Sequence, residues 1–188
     1  MNGESSDEAS ALWLRNANSR PSVEGIAQSI TEDAAYYDGH LPEANALAWY
    51  AWLSGMVECG KFSLADFETL CKLLPPLEGE QSLKKFLDPK EPDEQRLKLL
   101  ASFDATFEDL KTKLEQDARS FGGILPELNN IAWSAYIGGL VEFGLVLLKH
   151  HAYFCDHFLP NRYCDEPEND PTYGVLVGVR SPKGSSKS

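Results

Sequence analysis

A 20-residue block occurs twice in this chain, and it constrains the fold more than any other feature of the sequence. The first copy is residues 41–60, LPEANALAWYAWLSGMVECG, and the second is residues 125–144, LPELNNIAWSAYIGGLVEFG. The copies share 11 identical residues at a constant offset of 84, where unrelated segments would share about one or two at ordinary residue frequencies. The match predicts an internal duplication. Two copies are too few for a solenoid, so we expect one pseudo-symmetric domain.

Each copy has the pattern of a buried central helix. It opens with Leu-Pro-Glu, which suits a first helical turn because proline lacks the N–H that would be unbonded there and glutamate complements the helix dipole. It ends at a glycine, the residue type that favours a left-handed helix end. Small residues four apart, Ala51 and Gly55 in the first copy and Ala135 and Gly139 in the second, predict a close crossing of the two helices.

The flanking segments also have helical spacing of apolar residues, so the predicted fold class is all-α. We expect a helical bundle of two tandem, pseudo-symmetric three-helix repeats, followed by an extended C-terminal arm. The predicted boundaries are a single domain 1–160, repeat 1 at 22–75, a linker at 76–105, repeat 2 at 106–160 and the arm at 161–188. The linker is expected to hold a helical turn near residues 82–86 and a helical stretch from Asp93.

Two regions outside the repeated block carry specific expectations. Residues 1–8 are predicted to be disordered, and residues 9–16 to form a short helix that docks on the core through Leu12, Trp13 and Leu14. The turn after the central helix differs between the copies. The first has a capping-box pattern from Ser63. The second is apolar, with Leu145 and Val146, and we expect the C-terminal arm or a partner to cover it.

The charge distribution narrows the class of partner. The net charge is −12, and residues 1–84 carry 13 acidic against 5 basic side chains, whereas residues 85–160 carry 12 against 8. An acidic surface opposes nonspecific binding to nucleic acids and to anionic membranes. It suits a basic protein partner, although solubility is the commoner reason for such a charge. The acidic N-terminus does not resemble a secretory signal, and no apolar run reaches membrane-spanning length. These features predict a cytoplasmic location.

Glu58 and Glu142 are the catalytic candidates. They occupy equivalent positions near the ends of the two predicted central helices, where the helix dipole disfavours a negative charge. If the faces that carry them meet, the two carboxylates form a desolvated pair able to bind a metal or perform acid–base chemistry. The alternative is that each carboxylate is bonded locally or points to water.

The other candidate binding residues are polar and aromatic. Asn45 and Asn129 lie one helical turn before Trp49 and Trp133, and we expect the amides to be hydrogen-bonded between helices. The tryptophans could line a pocket, although large aromatic residues also dominate cores.

A third group, His151, Cys155 and His157, resembles a metal site, because the first two lie four residues apart on one helix. No CxxC pair accompanies these residues, so neither a metal nor a cofactor is predicted. The cysteines are expected to be buried thiols in a reducing compartment. A Cys71–Cys155 bridge would require both to lie beside the symmetry axis.

These observations lead to three functional hypotheses. The first is a small acidic interaction module of the inhibitor or adaptor type, similar in size and charge to immunity proteins, antitoxins and anti-defence proteins. The second is a carboxylate- or metal-dependent enzyme centred on Glu58 and Glu142. The third is a structural homodimer that uses the apolar surface of residues 145–148. The absence of nucleophile and phosphate-loop motifs favours a non-enzymatic protein.

Overall fold

A computed structural model describes residues 3–17, 22–77 and 81–159, with the side chains of residues 6–16 in the first range. These ranges are 73% helical and contain no strand, which confirms the predicted all-α class. The α-helices are α1 (Gly3–Ala17), α2 (Val23–Tyr36), α3 (Glu43–Glu58), α4 (Leu64–Cys71), α5 (Lys84–Leu87), α6 (Glu94–Leu100), α7 (Phe103–Arg119), α8 (Glu127–Glu142) and α9 (Leu148–His157), and a 3-10 turn, Gln81–Leu83, precedes α5. No helix in the described ranges combines the length and the apolar character needed to cross a membrane. The predicted C-terminal arm lies outside the described residues.

The centre of the molecule is the contact between α3 and α8, the most extensive helix–helix contact in the described residues. Trp52 contacts Glu142 and Tyr136 contacts Glu58, an order that requires the two helices to run antiparallel. Gly55 faces Tyr136, where an added Cβ would lie 3.4 Å from the ring. Gly139 faces Trp52, where the corresponding distance is 3.0 Å. The predicted close crossing at small residues is therefore confirmed.

Side-chain caps determine where several of the helices begin. Ser22 accepts a hydrogen bond from the backbone of Gly25 at the start of α2. Ser63 and Asp66 form the predicted capping box of α4, with Asp66 in the position where glutamate is more usual. Asp93 caps α6 as expected. Each cap satisfies a backbone N–H that has no partner within its helix.

The helices that follow α3 and α8 each begin at a backbone N–H group that donates to an acidic side chain from another segment of the chain. Asp7 of α1 accepts hydrogen bonds of 3.0 Å from the backbone N–H groups of Leu148 and Lys149 at the start of α9. Glu91, before α6, accepts one of 2.7 Å from the N–H of Leu64 at the start of α4. Asp7 and Glu91 are related by the constant offset of the repeated block, and so are Leu64 and Leu148. The two contacts are therefore reciprocal.

Two expectations about α1 are wrong. The helix begins at Gly3, inside the region predicted to be disordered. Leu12 and Trp13 do not dock on the core, because they are 46% and 68% exposed. Ala11, at 4% exposure, and Arg15 face the molecule instead, and the Arg15 guanidinium donates two hydrogen bonds to the carbonyl of Gly144. A polar interaction with the turn, which hydrophobicity alone does not reveal, determines the docked side of the helix.

The segment predicted as a linker is largely structured. The expected helical turn near residues 82–86 is present as the 3-10 turn and α5, and its Leu83 and Phe86 are buried. The Phe86 ring packs 5.2 Å from that of Trp133 and 6.1 Å from that of Tyr136. The following α6 also lies in the linker range, and α7 begins at Phe103, before the predicted repeat boundary.

Candidate functional site

The two candidate carboxylates lie at the α3–α8 contact, each bonded to an aromatic side chain of the opposite helix. The Trp52 indole N–H donates a 2.8 Å hydrogen bond to Glu142. The Tyr136 hydroxyl donates a short hydrogen bond to Glu58. The offset of the repeated block relates position 52 to position 136 and position 58 to position 142, so the two bonds are equivalent.

This arrangement keeps the two carboxylates at separate points of the helix pair. Glu142 lies at the level of Trp52, and six residues separate Trp52 from Glu58 along α3. At 1.5 Å per residue, this corresponds to about 9 Å along the helix axis. Each carboxylate is therefore positioned by its own aromatic donor, and the hydrogen bonds join the two helices at both ends of their crossing.

The environment of Glu58 includes Tyr136 and the charged side chain of Arg96. Burial, and then the nearby Glu58 carboxylate, raise the pKa of Tyr136 well above its usual value, so the hydroxyl stays protonated and remains a donor. Arg96 on α6 donates a 2.8 Å bond to Asp109 of α7, which also pairs with Lys113 at 3.2 Å. Burial alone would raise the pKa of Asp109, but the Arg96 hydrogen bond and the charge of Lys113 outweigh it and lower that pKa.

The candidate tryptophans are both buried and both bonded to an aspartate. The Trp49 indole donates to Asp33 at 3.0 Å, and the Trp133 indole donates to Asp117 at 2.8 Å. Both aspartates are less than a tenth exposed. The sequence analysis did not single out these aspartates. The signal was an aspartate at the same spacing before a tryptophan in both copies of the repeat.

Beside Trp133 the structure has a cavity of about 330 Å³, lined by Lys85, Lys113, Gln116, Asp117 and Trp133. The Lys85 ammonium lies 2.9 Å from Asp117 and 5.3 Å from the centre of the Trp133 ring. Asp117 therefore accepts from the indole and pairs with a lysine at the same time. Lys85 belongs to α5, in the predicted linker, which is why sequence reasoning did not associate it with Trp133.

The two candidate asparagines are buried, but their bonding differs. The Asn45 amide donates to the Tyr37 hydroxyl at 3.4 Å. The residue equivalent to Tyr37 in the second half is Phe121, which has no hydroxyl. The Asn129 side-chain nitrogen has no hydrogen-bond partner among the described residues. Because Phe121 lacks the hydroxyl oxygen of Tyr37, the buried side-chain nitrogen of Asn129 is left without the acceptor that Asn45 has.

The apolar turn at Leu145 and Val146 is buried within the chain, at 7% and 3% exposure. Leu147 is buried as well, and only Leu148 of this segment is exposed. The neighbouring α1, which bonds to Gly144 and caps α9, covers this part of the molecule. The surface on which the homodimer hypothesis depended is therefore not an exposed patch.

The histidine and cysteine residues of α9 are only partly brought together. The His151 ring nitrogen lies 3.9 Å from the Cys155 sulfur, whereas the His157 ring bonds to the carbonyl of Tyr153 on its own helix. Burial lowers the pKa of His151. In the described part of the chain, no group of three or more His, Cys, Asp or Glu side chains has an arrangement that could hold a metal ion.

The cysteines do not all remain thiols. Cys59 and Cys71 are free, and burial raises the pKa of each thiol to about 12. Cys155 is disulfide-bonded, so the expectation that it is a buried thiol is wrong. The Cys71–Cys155 bridge considered from the sequence does not form, because Cys71 is free.

No protein-family model, curated protein or solved structure matches this chain.

Proposed function

We propose that this protein is a small acidic interaction module, of the inhibitor or adaptor type, whose first half binds a basic protein partner. One observation carries the proposal. Residues 22–60 contain no lysine or arginine. The exposed acidic side chains of this stretch are Glu24, Glu32, Asp38 and Glu43.

The placement of these side chains suits docking. Glu24 and Glu32 lie on α2 with Gln28 midway between them, a spacing that puts the three side chains along one side of the helix. Gln28 donates a 2.9 Å bond to Glu32, which holds one carboxylate in place. A negative surface without interspersed cations steers a positively charged partner and excludes an acidic one.

The equivalent helix of the second half, α7, has a different pattern of charge. Along α7, Lys111, Lys113 and Arg119 are interspersed with the acidic residues. The two helices have the same place in the fold, so the absence of cations on α2 is not needed to build the bundle. This contrast supports a specific role for the first half, beyond the solubility that any charged surface supplies.

We also propose that the molecule is an internal duplication in which each unit has four helices, α1–α4 and α6–α9. The support is a set of contacts that recur at the offset of the repeated block: the two aspartate–tryptophan bonds, the two bonds between α3 and α8, and the reciprocal acidic caps by Asp7 and Glu91. On this support, the proposed units include more of the chain than the repeats expected from the sequence match alone.

The test is affinity capture of partners from cell extract with matched charge-reversal variants. Glu24→Lys with Glu32→Lys changes the acidic side of α2. Glu108→Lys with Glu115→Lys makes the same net change on α7. We expect a basic partner that the wild-type protein and the α7 variant retain and the α2 variant loses.

Salt provides the second arm of this test. At 1 M salt the screening length falls to about 3 Å, so a complex held by surface charge should dissociate. A partner retained equally by all three proteins, or equally at low and high salt, would contradict the proposal.

A further inference from the structure

The cavity beside Trp133 is the feature of the second half that the fold itself does not require. The bond between Asp117 and Trp133 has an equivalent in the first half, between Asp33 and Trp49, so that pair serves the architecture. The cationic side chains around the cavity are not duplicated. The residue equivalent to Lys113 is Ser29, and Lys85 lies on α5, between the two units.

The charge of the cavity wall is opposite to that of the protein. Lys85 and Lys113 supply two positive charges and Asp117 supplies one negative charge, which leaves a net of +1 in a chain whose net charge is −12. Asp109, which also pairs with Lys113, is balanced by Arg96 at 2.8 Å. The lysine side chains are 41% and 42% exposed, so their ammonium groups are accessible to a ligand.

The rest of the cavity suits an apolar group. Its lining includes the Trp133 ring, which is only 2% exposed and is fixed by its bond to Asp117. A volume of about 330 Å³ lies at the small end of the range of roughly 300–1,000 Å³ seen for ligand sites. The wall therefore matches a ligand that combines one negative charge with a small apolar body.

We propose that this cavity binds a small organic carboxylate. Lys113 and Lys85 pair with the carboxylate, and the apolar part of the ligand packs against the edge of the Trp133 ring. Gln116, also in the wall, offers an amide donor to the same group. The site is formed by residues of α5, α7 and α8 and is independent of the acidic surface proposed to bind a partner.

Benzoate is the probe for this proposal, with benzamide as the neutral control and benzylamine as the cationic one. Each is titrated into the full-length protein while the indole N–H resonance of Trp133 is followed by NMR. We expect saturable shifts with benzoate and a dissociation constant of about 1 mM or lower, typical of a ligand of this size. Benzamide should bind at least about tenfold more weakly, a difference of about 1.4 kcal/mol, because it has no charge to pair with the lysines.

Two lysine variants locate the binding. Lys113→Met should weaken benzoate binding at least about tenfold. Lys111→Met removes the same charge from the same helix at a residue outside the cavity lining and should bind benzoate like the wild-type protein. The thermal midpoints of both variants confirm that they fold.

Three results would overturn the proposal. One is the absence of saturable shifts with benzoate at concentrations up to 10-fold above the expected dissociation constant. Another is equal binding of benzoate and benzamide, which would remove the role of the charge. The third is an equal loss in both lysine variants, which would show a general effect of net charge on binding.

Discussion

The two halves of this protein make equivalent hydrogen bonds at the centre of the molecule and differ in the charges of their outer helices. At the α3–α8 contact, each half supplies an aromatic donor, Trp52 or Tyr136, and an acidic acceptor, Glu58 or Glu142. On the outer helices, α2 has no lysine or arginine, whereas α7 has three. Close packing restricts what can change at an interface, because each group there needs both space and a hydrogen-bond partner. Exposed positions lack that restriction, and both proposed functions depend on charged residues that differ between the halves.

The largest predicted effect is on the free energy of unfolding, and it concerns Gly60 and Gly144, the two glycines that end the central helices. Both have positive φ, and alanine costs about 1–2 kcal/mol in that conformation. At Gly60 an added Cβ would lie 3.6 Å from the nearest side-chain atoms. At Gly144 it would overlap the Ala11 carbonyl oxygen and lie 2.6 Å from the backbone nitrogen of Arg15. We therefore expect Gly60→Ala to cost about 1–2 kcal/mol and Gly144→Ala about 2–5 kcal/mol in the free energy of unfolding.

Urea denaturation measures both values, and hydrogen exchange of the α1 amides shows whether α1 has separated from α8. Equal costs for the two variants would mean that α1 does not depend on the close approach at Gly144.

The second prediction concerns the hydrogen bond between Tyr136 and Glu58. Tyr136→Phe removes the hydroxyl but keeps the ring, and we expect a loss of about 1.5–3 kcal/mol, the usual range for a bond to a charged group. A double-mutant cycle with Glu58→Gln separates the bond from other effects. If the Tyr136→Phe cost is unchanged in the Glu58→Gln protein, the bond does not contribute to the α3–α8 contact.

The third prediction concerns Phe121, which lacks the hydroxyl that Tyr37 has at the equivalent position of the first half. Phe121→Tyr places a hydroxyl where Tyr37 has one in the first half, within reach of the Asn129 amide that lacks a partner among the described residues. We expect a gain of about 0.5–1.5 kcal/mol in the free energy of unfolding. The reverse change, Tyr37→Phe, should cost a similar amount. A destabilised Phe121→Tyr protein would show that the two asparagine environments are not equivalent.

The smallest predicted effect is a pH dependence confined to the second half. His150, the equivalent of Asp66 in the α4 capping box, is buried and stacks 4.3 Å from the Phe107 ring. Burial, and then the charge of Lys149, lower the pKa of His150 below its usual 6.5. As the pH falls below about 6.5, the unfolded chain takes up this proton first, so the free energy of unfolding decreases.

Urea denaturation between pH 7.5 and 5 measures this slope. In His150→Phe the slope should be smaller, with the remainder due partly to His151, whose pKa is also lowered. An unchanged slope in the variant would exclude His150 as a source of the pH dependence.

Most features that depend on residues close together in the chain were predictable from the sequence, and those that depend on contacts between distant residues mostly were not. The Ser63–Asp66 cap and the start of α6 at Asp93 were predictable, because a cap involves residues three apart in the chain. The crossing at Gly55 and Gly139 was also predictable from small-residue spacing. The exposed side of α1 was not, because it depends on a bond between Arg15 and Gly144, which are distant in the chain.

In the candidate site too, contacts between residues distant in the chain were not predictable from the sequence. The sequence indicated Trp133, Glu58 and Glu142 as residues of interest, but not what each would contact. That Glu58 accepts from Tyr136 follows from the antiparallel order of α3 and α8, which no local pattern specifies. That Lys85 reaches Asp117 depends on Phe86 packing between the central aromatic residues, a contact made by a segment that resembled a linker.

The sequence by itself determined the all-α class, the two central helices and the turns that end them. These features depend on hydrophobic spacing, small residues, caps and glycines, all of which act within a few residues. Only the tertiary structure decided which carboxylate meets which aromatic donor, which turn each outer helix covers, and where Lys85 meets the buried Asp117. Those outcomes depend on contacts between residues distant in the chain, which form only when α3 and α8 pack together.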